Sequence, residues 1–247
     1  MILRRYVIVS GLISLVTFGC GDFDTSSAQK TKQVVQESNV TQLLTEAEDS
    51  QKVKILLRQG NKLLDEQRYQ EALKAYDQVI ELKSDSVETW VNRGNALIAL
   101  QRYEEALSSY DKAIALQPNK DEAWYNRGNA LTALRRYSEA IEAYDEAIAV
   151  MPEKHEAWIN RGIALTRLQR YKEALASYNQ ALTINKNLPE VYYNKACNYA
   201  LQGNVELAIE SLDQAIKLQP DKYRQIARTD TDFEKVRNDI RFQQLIQ

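Results

Sequence analysis

One arrangement of residues returns along this chain at a fixed interval of about 34 residues. Trp124, Gly128, Leu131, Tyr137, Ala140, Tyr144, Ala147 and Pro152 appear one interval earlier as Trp90, Gly94, Leu97, Tyr103, Ala106, Tyr110, Ala113 and Pro118. One interval later Trp158, Gly162, Leu165, Tyr171, Ala174, Tyr178 and Ala181 repeat the order, with Lys186 in the proline's place. A unit this short cannot enclose a core alone, so neighbouring units must stack and share one. Steps of about 100° per residue put Trp124, Gly128 and Leu131 on one helical face. Ala140, Ile141, Tyr144, Ala147 and Ile148 form the apolar stripe of a second helix, which Pro152 ends.

Glycine inside a helix costs about 1 kcal/mol relative to alanine, so its return at Gly60, Gly94, Gly128 and Gly162 demands a packing reason. The expected one is close approach of the first helix to the small Ala72, Ala106, Ala140 and Ala174 of the second. Eight of the 14 tyrosines sit at two positions of the unit and all three tryptophans at one, which marks them as packing residues. This ordering resembles the tetratricopeptide repeat. The resemblance implies an all-α solenoid, a right-handed superhelix of about five helix-turn-helix units, over residues 53–86, 87–120, 121–154, 155–188 and 189–222. Residues 223–247 hold Ile226, Phe233, Val236, Ile240, Phe242 and Leu245 and are expected to form capping helices over the open end, starting at Thr231-Asp232.

The units differ in informative ways. The first has Leu56 for tryptophan and Ser84 for proline, and the fifth has Tyr192, Ala196 and Leu212 for Trp, Gly and Tyr. Between helices the chain reads Gln101-Arg102-Tyr103, Arg135-Arg136-Tyr137 and Gln169-Arg170-Tyr171, where the family commonly has glycine at the start of the bend. Arginine there can face the first helix's terminal carbonyls. Arg93, Arg127 and Arg161 are expected to pair with Asp77, Asp111 and Asp145 of the preceding units, because the arginine becomes Lys195 just where the aspartate becomes Asn179.

Residues 1–19 have basic Arg4 and Arg5, then an apolar run of about 13 residues, short of the roughly 20 that span a bilayer. Gly19-Cys20 at its end resembles the lipobox of bacterial lipoproteins, with Thr17 where leucine is usual. That resemblance implies export, lipidation of Cys20 and membrane anchoring in a bacterial envelope. An uncleaved anchor and an ordinary cleaved signal remain the alternatives. Residues 20–52 are polar and read as a flexible linker, with helix formers from Gln42 to Lys54.

A net charge of −2 and no basic stripe argue against nucleic acid as a partner. There is no phosphate-binding glycine loop, nucleophile-base pairing or metal cluster, so the sequence points to no enzyme and no cofactor. The one histidine, His155, lies between units, and Cys197 reads as a buried thiol. With Trp124 at position 4 of the unit, positions 2, 5, 6, 9, 12 and 13 of the first helix lie opposite the packing face, and in this fold they line the concave groove. Position 6 carries Arg58, Asn92, Asn126, Asn160 and Asn194; position 9 carries Asn61, Asn95, Asn129, Ile163 and Cys197.

Asparagine offers a donor and an acceptor, so such a row can hold the backbone of an extended peptide, similar to the asparagine ladder in the repeat domain of O-GlcNAc transferase. Asparagine is also common at these positions in the family, which leaves family background as the other reading. Tyr125 and Tyr193 at position 5 add grips for side chains, and Glu88, Glu122, Glu156 and Glu190 make the groove acidic. No unit has the position-5 lysine of the family's carboxylate clamp, so the expected partner is a neutral or basic protein segment and not a free C-terminal carboxylate. The reading is a membrane-tethered scaffold; a self-associating array with an empty groove is the alternative.

Overall fold

The computed structural model describes residues 25–83 and 85–247. The export signal expected at 1–19, the expected lipidation site Cys20 and Ser84 lie outside the described residues. Among the described residues there are twelve α-helices, one 3-10 turn and no strand. Five hairpins succeed one another: α1 (Thr25–Asp65) with α2 (Tyr69–Leu82), α3 (Val87–Ala99) with α4 (Tyr103–Leu116), α5 (Asp121–Ala133) with α6 (Tyr137–Val150), α7 (His155–Arg167) with α8 (Tyr171–Ile184), and α9 (Pro189–Leu201) with α10 (Val205–Leu218). Then come α11 (Pro220–Thr229), the 3-10 turn Thr231–Phe233 and α12 (Ile240–Leu245). No helix among the described residues is long and apolar enough to cross a membrane.

Residues 25–52 are helical, as the front of α1, and not the flexible coil their polarity suggested. No glycine or proline falls between Gly21 and Gly60, and Gln, Glu, Lys and Leu, all good helix formers, are frequent there.

Each recurrent glycine faces a tyrosine ring, not the alanines. A Cβ on Gly60, Gly94, Gly128 or Gly162 would lie 2.6, 2.4, 2.5 or 2.4 Å from the ring edge of Tyr76, Tyr110, Tyr144 or Tyr178. These four rings are fully buried, and the alanines fill the space beside them. The fifth hairpin confirms the logic by compensation. There the glycine is Ala196 and the ring is the smaller Leu212, both fully buried.

The bends are left-handed at one residue each: Gln67, Gln101, Arg135 and Gln169 have φ near 60°, and Gly203 has φ 76°. Arg102 N–H reaches back to Leu97 O at 2.9 Å and Gln101 N–H to Ile98 O at 2.9 Å, a glycine-type helix ending built without glycine in four of five hairpins. The arginine that follows turns away from the terminal carbonyls it was expected to face. Arg102 forks onto Glu105 at 2.6 Å through both nitrogens, and Arg68, Arg136 and Arg170 do the same to Glu71, Glu139 and Glu173. These hydrogen bonds hold the four carboxyls below their usual range, a contribution lost as pH falls through the lowered values.

The Arg–Asp pairs between hairpins are present. Arg93, Arg127 and Arg161 donate to Asp77, Asp111 and Asp145 at 2.7, 2.8 and 2.6 Å, and Lys195 donates to Asn179 at 3.0 Å. Arg93 and Arg161 also reach Ser109 and Ser177. Ala143 stands at the corresponding place beside Arg127. Indole N–H groups of Trp124 and Trp158 close the loops onto Pro118 O and Pro152 O at 2.8 and 2.9 Å.

The last stretch does cap the array, using fewer residues than its amphipathic pattern implied. Tyr223, Phe233, Val236 and Phe242 are buried against α9 and α10, whereas Ile226 and Ile240 stay exposed. The 3-10 turn starts at Asp230, whose Oδ1 accepts from Asp232 N at 3.0 Å.

Two outcomes follow. Gly128→Ala lowers stability by about 1 kcal/mol or more in urea unfolding, despite a better helix propensity, because overpacking against a ring costs about 1–3 kcal/mol; adding Tyr144→Leu, the fifth hairpin's solution, restores part of it. Arg135→Gly raises stability by about 0.5 kcal/mol, since relief of left-handed strain of about 1–2 kcal/mol exceeds glycine's added chain entropy of about 0.5–1 kcal/mol.

Candidate functional site

First helices of successive hairpins touch one another from α3 to α9, while the second helices are joined mainly through them. The array therefore bends with the first helices inside, and the asparagines at positions 6 and 9 lie on that inner side. Gly60, Gly94 and Gly128 each precede a position-9 asparagine, so the same close approach brings a tyrosine hydroxyl to its amide. Tyr76, Tyr110 and Tyr144 donate to Asn61, Asn95 and Asn129 Oδ1 at 2.9, 2.8 and 2.9 Å. The same oxygens accept from Asn92, Asn126 and Asn160 Nδ2 of the next hairpin at 3.0, 3.0 and 2.8 Å. Burial raises the pKa of these tyrosines, so they stay protonated and donate.

Half of each amide is thus spent on joining hairpins. The other half is open: among the described residues no group bonds Asn92, Asn126 or Asn160 Oδ1, nor Asn95 or Asn129 Nδ2. Asn61 is the exception, since its Nδ2 donates to Glu88 at 3.3 Å. All six side chains are half-buried. They present acceptors from one position and donors from the other along a single face.

Position 5 does not supply the grips expected of it. Val91, Ile159 and Tyr193 are 2 %, 7 % and 8 % exposed, and only Tyr125 stays half open. Tyr125 packs on Tyr144 with ring centres 6.1 Å apart, accepts from Asn160 Nδ2 at 3.1 Å, and lies 5.0 Å below Lys154 Nζ. Lys154 in turn donates to Asp121 at 2.9 Å.

The row ends at the fourth hairpin. Ile163 cannot accept, so Asn194 finds no partner among the described residues and Tyr178 pairs with Thr166 Oγ1 at 3.2 Å instead. Asn198, one residue beyond the position-9 place, donates to that same Thr166 oxygen at 3.1 Å and is fully buried. Thr166 and Asn198 were not legible as continuations of the row, because they lie at positions 12 and 10.

Tyr193 belongs to the cap and not to the groove. Its hydroxyl donates to Asp230 Oδ2 at 2.5 Å, and its ring packs at a tilt against Tyr223 and edge-on against Phe233, with ring centres 5.2 and 5.6 Å away. Donor atoms of Cys197, Asp230 and Asp232 lie within 4.8 Å of one another. Arg167 and Tyr193 already engage those carboxylates, so the cluster is an ion-pair network. Burial and the adjacent carboxylates push the Cys197 thiol well up, which keeps it uncharged.

Models of the tetratricopeptide repeat match residues 57–121, 91–151 and 125–189, and a second model of that repeat matches 189–222. No curated protein sequence matches significantly. Among solved structures, YrrB, described as a tetratricopeptide repeat protein with an unusual peptide-binding site, is 26% identical, with 67% of this chain and 86% of that one covered and a TM-score of 0.60. A MamA structure is 21% identical over 70% of this chain and 94% of that one, with a TM-score of 0.65. MamA 41-end from Desulfovibrio magneticus RS-1 is 19% identical over 69% and 97%, with a TM-score of 0.66.

Proposed function

From the premise that this chain belongs to the tetratricopeptide repeat family, we propose that it is a non-catalytic scaffold that holds an extended, neutral or basic segment of a partner protein along the asparagine row. The observation that carries the reading is the half-spent state of the amides. Alternating acceptors and donors suit the main chain of a peptide whatever its side chains. Glu88, Glu122 and Glu156 along the same helices favour a segment that brings positive charge. The likeness to YrrB supports a peptide as the kind of ligand.

Three first helices, α3, α5 and α7, carry the open amide atoms, since both the oxygen and the nitrogen of Asn61 on α1 are already bonded. At helix spacings of about 9 Å and about 3.3 Å per extended residue, the row accommodates on the order of six residues. In the same reading Cys20 carries the lipid that keeps the scaffold at a membrane of a bacterial envelope, where it assists assembly of a complex.

Asn95→Asp with Asn129→Asp is the discriminating variant. Each change keeps the oxygen that Tyr110 or Tyr144 and the next hairpin use, and removes the nitrogen that faces the groove. The expected result is an unchanged circular dichroism melt and oligomer size, with recovery of a co-purifying partner from native membranes reduced at least tenfold, two lost bonds being worth about 1–3 kcal/mol together. Full recovery would return the groove to the self-association reading. Cys20→Ala is expected to move the protein from the membrane to the soluble fraction and to abolish incorporation of labelled palmitate; membrane retention in that variant counts against the lipid anchor.

A further inference from the structure

The inner face of the fourth and fifth hairpins is not empty: the chain's own residues 230–233, Asp-Thr-Asp-Phe, lie across it. Asp230 takes the Tyr193 hydroxyl at position 5 of the fifth hairpin, and Cys197 Sγ at position 9 is 3.9 Å from the same oxygen. Two residues on, both oxygens of Asp232 meet Arg167 Nη1 at 3.2 and 3.3 Å, at position 13 of the fourth hairpin. Phe233 is fully buried against the Tyr193 ring. Arg167 thus receives one carboxylate, and Tyr193 receives the other through its hydroxyl and the aromatic ring through its own ring.

The receiving chemistry is particular to this end. The residues corresponding to Arg167 in the first three hairpins are Asp65, Ala99 and Ala133, and the residues corresponding to Tyr193 are Leu57, Val91 and Tyr125. Those hairpins have the asparagine row, which suits a different segment, while position-2 glutamates run through the second to fifth hairpins alike. Arg167 remains about half exposed, and of its nitrogens only Nη1 is bonded to Asp232.

We propose that the inner face of the fourth and fifth hairpins is a second recognition site, specific for a short Asp-x-Asp-aromatic segment, which residues 230–233 occupy in cis and which a partner protein bearing such a segment takes by exchange. The site is independent of the asparagine row. A segment tethered this closely has an effective concentration on the order of millimolar, so a free segment enters only when the tethered one is weakened or the incoming one is better matched.

The probe is a fluorescent peptide of residues 228–238, RTDTDFEKVRN, added to the full-length chain in a Cys20→Ser background. Asp230→Ala with Asp232→Ala weakens the tethered copy and leaves the receiving groups in place. It is expected to bind the peptide at least tenfold more tightly than the wild type, and a further Arg167→Ala is expected to remove that gain. Cys197 reports the same event independently. Its labelling by a thiol reagent should accelerate several-fold in the double variant and slow again when the peptide is added. Asp232→Asn, a change of charge with little change of shape, repeats both measurements if the double variant does not fold. Peptide binding that ignores Arg167, or Cys197 labelling as slow in the weakened variants as in the wild type, would overturn the proposal and leave the segment as a fixed cap.

Discussion

The contact between a helix glycine and a tyrosine ring is the constraint on which the rest of this array depends. It fixes how near the two helices of a hairpin lie, and thereby delivers the tyrosine hydroxyl to the asparagine that follows the glycine in sequence. That asparagine oxygen, held by one donor from its own hairpin, has room for a second from the next. A packing contact inside a hairpin is in this way converted into a polar joint between hairpins. The fourth hairpin shows what happens when the asparagine alone is lost. Gly162 still faces Tyr178, but Ile163 stands in the asparagine's place, and the polar joint to the fifth hairpin is made instead by Thr166 and Asn198.

Two kinds of joint therefore run along the array, on opposite sides of each first helix. On the inner side are the amides, and on the other side Arg93, Arg127 and Arg161 pair with the preceding aspartates. The arginines are about one-fifth exposed and the aspartates about half, so screening by water limits what each pair adds to stability. Their geometry is more informative than their strength. An arginine fixed by Asp77 on one hairpin and Ser109 on its own can satisfy both only in one register, and slippage would strand a partly buried charge.

The hairpins, their bends and the Arg–Asp pairs could be read from sequence because each repeats, and a substitution in one unit is answered by another at a fixed distance. Lys195 facing Asn179 is the clearest instance. What could not be read depends on a single long-range event. Tyr193 looks like a groove residue by its position, and becomes a cap residue only because residues 230–237 fold back over it. The asparagines were legible as a row but not as half-spent, since their bonding depends on which tyrosine the glycine admits. The front of α1 misled for a simpler reason: polar composition without glycine or proline is compatible with coil or helix, and only the backbone distinguishes them.

The inner face is consequently divided by chemistry. Position-2 glutamates run through the second to fifth hairpins alike, but position 13 carries no positive charge in the first three; where the row fails at Ile163, Arg167 stands beside the failure and an acidic segment lies against it. The loss of one asparagine at the fourth hairpin is thus the point at which a row of open amides gives way to an arginine and a tyrosine hydroxyl that already hold carboxylates of the chain's own last stretch.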